Sequence, residues 1–483
     1  MRAFACLLAF SLATPFLAKL QEERSPLCEQ GECDEVQLLQ AEKLQQLRAS
    51  TGAPSSMASA ALEVVWQVLT SAAGWWMQRH DLGARVDLRP MQRQFPYVPA
   101  EGRQFWMYAT ATTCPVEVLE QWPKGFDNPD CEKFAPGENK VSVFVDSTRP
   151  SIQALKWLGK VIPLLEEAKW YQGLIKGLER WTVGNHKGFV ATDDTLKAII
   201  VSVSGTGMVT NLGFFADVLA DTNANSLYGL ECPILQIQKK LKFVPYIKKL
   251  PGLYHRGFCW FYNMMVLYTS YQTDLITAVK ANPSYDVIFA GHSLGGAAIT
   301  LAAADYLHRI RPELTKKGSS VVDYIEAAVC DDCAFPESSS IPSGVPATGH
   351  VLLYTYGSPR AGSPSSADYL HARLDASYRV TRNGDPVPLL MMCQRQESDR
   401  QACTPAEENP YHVGQEVYYP HENGTHYMCN GLGEDPKCAD SRSIEHGYTF
   451  EEFAYGFGNI HTAYYGMGPW AYLPPTQRWC CSD

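Results

Sequence analysis

Residues 285–296 read YDVIFAGHSLGG and run directly into AAITLAAADYL. A short β-branched and aromatic run, then Gly-x-Ser-x-Gly, then an alanine-rich stretch leaves few ways to fold. The apolar run shows no polar alternation, so it fits a strand buried on both faces. The serine between strand and helix must take a strained turn. Side chains two positions either side would collide with the strand and helix, hence Gly291 and Gly295. This nucleophile elbow predicts Ser293 exposed at the C-terminal edge of a sheet, beside a helix N-terminus that stabilises developing negative charge. The competing reading is a glycine-rich turn with an incidental serine, and the flanking strand and helix weigh against it.

The rest of the chain alternates in the same manner. Residues 188–191 and 197–203 (KAIIVSV) read as strands, joined by the polar run Thr192-Asp193-Asp194. A long helix is expected over 260–281, a strand over 285–290, a helix over 297–308, a strand over 350–356 and another near 378–381. A further helical region, 151–181, is broken at Pro163. Strands alternating with helices pack as a mostly parallel sheet covered on both faces. The predicted class is α/β: an α/β-hydrolase fold, its mostly parallel central sheet flanked by helices, with an N-terminal helical extension.

Arg2, an apolar stretch over 3–18 and polar residues from Lys19 onward read as a secretory signal peptide over 1–18. Residues 19–95 read as a helical extension or pro-segment with a linker, and 96–483 as the hydrolase domain. Within the extension, Ser59, Glu63, Gln67 and Thr70 fall on one stripe of the apolar run 57–77, which makes it an amphipathic helix and not a transmembrane span. The 15 cysteines leave 14 once Cys6 in the signal is set aside, and an even set in a secreted chain suggests disulfides. Cys114 with Cys131 and Cys429 with Cys438 each close a short polar loop. Cys330 and Cys333 form a lone CxxC without a second pair, so no metal is expected. One sequon, Asn423-Gly424-Thr425, fits a glycoprotein of the secretory route. A net charge of −10 without a basic run argues against nucleic acid as a partner.

A neutral serine hydroxyl is a poor nucleophile, so a base must take its proton and an acid must orient that base. In this fold the acid and then the histidine follow the serine along the chain. Asp385 in RVTRNGDPVP is the best-placed acid, because it follows a short strand and opens a loop bounded by prolines. It could equally be a turn aspartate. Beyond it lie His412, His421, His426, His446 and His461, which composition does not separate.

GHSLGG, followed by TYGSPRAG, RNGDPVP and HTAYYG, resembles the class 3 lipases, the fungal triacylglycerol lipase family that includes feruloyl esterases. The resemblance runs from about residue 105 to the end and takes in MYATATTC, GFVATDDTLKAIIVSVSGT, LYHRGF and CNGLGEDPKC. It implies Ser293 as nucleophile, Asp385 as acid and His461 as base, since Tyr465 and Gly466 follow His461 in the family's pattern. His446 is the alternative. It also implies an oxyanion hole from the Leu294 backbone N–H and from Thr206, with an apolar segment over 207–215 covering the cleft or belonging to the core. The departures are Ser204 where the family carries arginine and Leu212 where it carries tryptophan. The expected function is a secreted serine esterase on acylglycerols, acting through an acyl-enzyme at a lipid–water interface without a cofactor. The rivals are a feruloyl-type or polysaccharide esterase and a catalytically silent binding protein.

Overall fold

The computed structural model describes residues 84–91, 95–114, 119–120, 141–145, 187–205, 227–229, 250–255, 258–315 and 347–395 with short breaks, 403–421, 425–441, 452 and 455–466. The signal peptide, the helices expected over 57–77 and 151–181, the Cys330–Cys333 pair and Asn423 lie outside the described residues. In chain order the elements are α1 (Pro99–Ala111), β1 (Val141–Val145), β2 (Lys187–Asp193), β3 (Ala198–Val203), β4 (Leu227–Gly229), β5 (Leu253–His255), α2 (Tyr271–Ala281), β6 (Asp286–His292), α3 (Leu294–Asp305), β7 (Val351–Tyr356), α4 (Pro364–His371), β8 (Ala376–Arg382), β9 (Gln415–Tyr419) and β10 (Tyr427–Met428).

Eight strands form one sheet in the order β1-β2-β3-β6-β7-β8-β9-β10, and β4 pairs with β5 apart from it. The five central strands, β3 to β9 in that order, are parallel. The edges are antiparallel, β1 and β2 on one side and β10 on the other. This is the α/β-hydrolase arrangement. Successive side chains of a strand point to opposite faces, and here both faces are dry. Ile199, Val201 and Val203 join α2 and α3 in one apolar cluster, whereas Ala198 and Ile200 join α1 in the other. Burying a side chain such as Phe289, which is wholly enclosed, contributes about 2–3 kcal/mol.

The β2–β3 hairpin shows how local chemistry sets a turn. The Asp193 carboxylate accepts the N–H groups of Thr195 and Leu196 at 2.8 and 2.9 Å. Asp193 thus ends β2, and the turn falls a residue or two later than its polar run suggests. The helix expected over 260–281 is interrupted. Helical residues occur between 258 and 266, and α2 begins only at Tyr271. The Thr269 hydroxyl donates back to the Met265 carbonyl and accepts the Tyr271 N–H, offering the backbone an alternative to the helical ladder.

Residues 84–91 run along the same compact unit as the sheet, Leu82–Gly447 with Phe453–Asp483. Val86 N–H donates to the Pro405 carbonyl and Met91 N–H to that of Gly431, while Arg89 grips both carboxylate oxygens of Asp368. Cys429 pairs with Cys438, and Cys393 with Cys403, a bridge for which the sequence offered no pairing. Cys114 is also disulfide-bonded; Cys131 lies outside the described residues.

Candidate active site

The elbow is built by the absence of two side chains. A Cβ on Gly291 would stand 2.4 Å from the Gly295 carbonyl oxygen, and one on Gly295 would stand 2.3 Å from that of Val203. With both missing, β6 turns straight into α3, and the strain falls on Ser293, whose φ is +59°. That conformation costs of order 1–3 kcal/mol in a non-glycine residue and persists where the surroundings impose it. The Ser293 N–H donates to the Tyr356 carbonyl at 2.9 Å, tying the bend to β7. Leu294 is the first residue of α3, so its N–H is among those a helix leaves without an internal partner. Gly205 closes in from the end of β3: a Cβ there would lie 2.7 Å from the His292 carbonyl oxygen and 3.3 Å from Ser293 Cβ. One expectation fails. Ser293 is only 1 % exposed, because what surrounds the bend in three dimensions, and not the bend itself, decides access.

Asp385 lies in the turn after β8, where Gly384 takes φ +85°. Its two oxygens stand 3.0 and 2.9 Å from His461 Nδ1. The Val387 N–H and the Tyr464 hydroxyl donate to the same carboxylate at 2.9 and 2.5 Å. A carboxylate accepts, so Nδ1 carries the hydrogen and Nε2 is the nitrogen able to take a proton. His461 follows a π-helical turn, Gly456–Ile460, closed by its own N–H on the Gly456 carbonyl at 2.8 Å. Single π turns are frequent at functional sites. A Cβ on Gly456 would come within 2.3 Å of the Gly384 carbonyl oxygen, so its bareness lets the π turn press against the Asp385 turn. Arg382 then donates to the Ala463 carbonyl at 2.6 Å, fastening the residues after His461 to the end of β8. Tyr464 is fully enclosed; burial, reinforced by Asp385, pushes its hydroxyl well above the ordinary tyrosine range, so it remains a donor.

Next to the nucleophile position, the His292 ring centroid lies 4.4 Å from that of His461, and the enclosed Trp106 of α1 meets His292 edge-on at 5.0 Å. The structure therefore gathers Ser293, Leu294, Gly291, Gly295, Asp385 and His461 at the C-terminal ends of β6, β7 and β8. Thr206, the 207–215 segment and His446 lie outside the described residues. Of the other histidines, His412 is buried against Glu434 at 2.7 Å, His426 packs on Tyr97 and Tyr419, and His421 is exposed. Sequence reading gave no role to His292, Gly357, Tyr464 or Gly456. His292 stood in plain view inside the elbow motif, Gly357 in TYGSPRAG and Tyr464 in HTAYYG, but their signal is contact, which one-dimensional pattern does not carry. Two groupings of metal-type residues occur among the described residues, Cys393, Cys403 with Asp440 and Cys429, Cys438 with Glu416. Their cysteines are joined in disulfides, which removes the thiolates a metal would need.

A strained serine between a parallel strand and its helix is the elbow of the α/β-hydrolase fold. More narrowly, the family profile lipase (class 3) matches residues 233–395. That stretch contains Ser293, Leu294 and Asp385 but neither Thr206 nor His461. The chain is 31 % identical over 202 residues to the secreted mono- and diacylglycerol lipase 1 of Fusarium solani, covering 42 % of each protein. It is 32 % identical over 117 residues to the secreted mono- and diacylglycerol lipase A of Penicillium cyclopium, covering 24 % of this chain and 26 % of that one. The matches thus span less than half the length of these curated relatives. The solved lipase of Rhizopus microsporus var. chinensis aligns over 81 % of this chain and 98 % of its own, with 18 % identity and a TM-score of 0.43.

Proposed function

We propose that the protein is a serine ester hydrolase of lipid acyl esters, with acylglycerols as substrates, and that it is secreted. The observation that supports this most is the buried Asp385–His461 pair set against a strained Ser293. Nothing in packing alone calls for an ionisable pair and a strained serine in one place. The names of the two fungal relatives support the substrate class and the secretion.

In this reading Ser293 Oγ attacks the ester carbonyl carbon while His461 Nε2 takes its proton. Asp385 holds the ring in the required tautomer and stabilises the imidazolium that forms. The developing oxyanion is met by the Leu294 N–H and by Thr206; losing one such donor typically costs about 100- to 1000-fold in rate. The tetrahedral centre collapses, His461 returns its proton to the departing alcohol, and an acyl-enzyme remains on Ser293. Water, deprotonated by His461, then attacks that ester and releases the acid and the serine. This sequence needs no cofactor.

The test is turnover of emulsified long-chain mono- and diglycerides beside turnover of soluble feruloyl esters, together with labelling by a fluorophosphonate. Preference for the glycerides and labelling of Ser293 support the proposal. Preference for feruloyl esters would select the phenolic-ester reading, and folded protein that neither turns over nor labels would select a silent binding protein.

A further inference from the structure

His292 stands immediately before the nucleophile, yet its side chain is turned to the base. Its ring and that of His461 lie 4.4 Å apart with planes inclined by 33°. Its Nε2 is 2.8 Å from the His461 backbone carbonyl oxygen. A carbonyl only accepts, so Nε2 carries the hydrogen and the His292 tautomer is fixed. Trp106 meets the His292 ring at 88° and Tyr464 lies at 6.3 Å and 66°, so the ring is braced by aromatic neighbours.

We infer that His292 is a positioning residue for the base: it holds the His461 ring with a stacked face and the His461 backbone with a hydrogen bond. The inference rests on the proposed roles of Ser293 and His461. The strand that carries the nucleophile thereby also carries a clamp on its base. Their separation is set across one peptide unit, in place of the chain between residues 293 and 461. Burial, with His461 close by, keeps His292 well below the usual histidine pKa, so it stays neutral. A charged ring there would oppose the imidazolium that each half-reaction forms. Among the described residues, Asp385 and Tyr464 also face His461, and Arg382 donates to the Ala463 carbonyl and acts electrostatically on Tyr464.

Three variants separate the two contacts: His292→Phe keeps a ring face without a donor, His292→Gln keeps a donor without a ring, and His292→Leu keeps neither. With p-nitrophenyl butyrate, a soluble ester, His292→Leu should lower kcat by about 100-fold at nearly unchanged KM, as a misplaced catalytic group does. The Phe and Gln variants should fall between it and wild type. The low-field proton resonance of the His461 Nδ1–H bond to Asp385 should broaden or shift in step with kcat. A His292→Leu enzyme within about two-fold of wild type, or an unmoved resonance in all three, overturns the inference. Failure of all three to fold also overturns it, since the residue would then serve only the core. Wild-type protein that does not label with a fluorophosphonate rejects the serine-hydrolase reading instead, while the resonance still reports on the clamp.

Discussion

The Cβ that Gly357 lacks would stand 2.7 Å from Nδ1 of His461 and equally 2.7 Å from Oδ2 of Asp385. Gly357 adopts φ +54° at the end of β7, so any side chain there is both strained and wedged into the Asp385–His461 contact. Gly357→Ala should therefore lower kcat by about 100-fold through a displaced base. The fold should lose only about 1 kcal/mol for the left-handed backbone. Steady-state kinetics beside a melting curve checks this, and equal losses in the two would mean general unfolding.

Asp385 accepts from His461, Tyr464 and Val387. Asp385→Asn presents an amide that no longer fixes the His461 tautomer, and about a 10⁴-fold drop in kcat is expected by analogy with serine-protease triads. Tyr464→Phe leaves the tautomer intact and removes one charge-assisted hydrogen bond, worth roughly 1.5–3 kcal/mol to stability. Its effect on kcat should be far smaller than that of Asp385→Asn. Measuring both variants at one pH distinguishes them, and a Tyr464→Phe enzyme as impaired as Asp385→Asn would give Tyr464 a larger part.

The two candidate bases invite a direct comparison. His461 carries the Asp385 contact, so His461→Ala should match Ser293→Ala in turnover, both losing several orders of magnitude. The melting curve should stay nearly unchanged for Ser293→Ala and fall for His461→Ala, which leaves the buried Asp385 carboxylate without its ring partner. His446→Ala should retain close to full turnover. The reverse result would transfer the base to His446 and leave the Asp385–His461 pair a structural one.

What the sequence makes legible here is local. β6, the elbow and α3 follow from an apolar run, two glycines and an alanine-rich stretch, because each constraint acts within a few residues of Ser293. Asp385 shows itself by its Asn-Gly-Asp-Pro turn. His461 does not show itself by composition, being one of five histidines beyond Asp385. The resemblance alone favours it in the sequence, and in the structure its contact with Asp385 and the fit of Gly456 to the Gly384 carbonyl set it apart. β9 hides for another reason. It begins with Gln415 and Glu416, both buried, and Glu416 tolerates that place because Arg379 donates to it at 2.9 Å, Thr381 at 2.6 Å and the Ala439 N–H at 3.2 Å. A polar strand start buried by long-range pairing has no period to read. The closure over Ser293 is likewise a product of tertiary packing.

Acid should destabilise the fold through a buried network beside the two described disulfides. Glu434 accepts from Arg360 at 2.8 and 2.9 Å and from His412 Nδ1 at 2.7 Å. Burial and the nearby Arg379 push the His412 pKa down to about 4 from 6.5. Between those values the unfolded chain binds a proton that the folded chain refuses, so stability falls as pH falls through that window, by on the order of 3 kcal/mol. Burial alone would raise Glu434, but Arg360 and His412 outweigh it and hold the carboxyl well below its usual range. Its contribution is present above about pH 4.5 and fades in stronger acid. The Tm of wild type should drop between pH 7 and pH 4, and that of His412→Gln should drop less steeply. Parallel slopes would remove His412 from the cause.

Ser293, Asp385 and His461 are each no more than 2 % exposed. An ester cannot reach the serine in that state, so turnover requires a form of the protein in which the site is open. A ligand or surface shifts such an equilibrium only by its differential affinity for the two forms, and about 1.4 kcal/mol of preference multiplies a rare open form ten-fold. A lipid–water interface supplies that preference if opening bares apolar surface, since about 25 cal/mol is gained for each Å² of it withdrawn from water. Some 60 Å² of extra contact would then suffice for the ten-fold change. The expected outcome is a rate on tributyrin that rises abruptly, by about ten-fold or more, once the substrate exceeds its solubility and forms droplets. Fluorophosphonate labelling of Ser293 should quicken by a similar factor when vesicles are added, which separates opening from substrate supply. A smooth saturation curve through the solubility limit, with labelling indifferent to vesicles, would show that the site opens freely in water and that the enclosure of Ser293 places no demand on an interface.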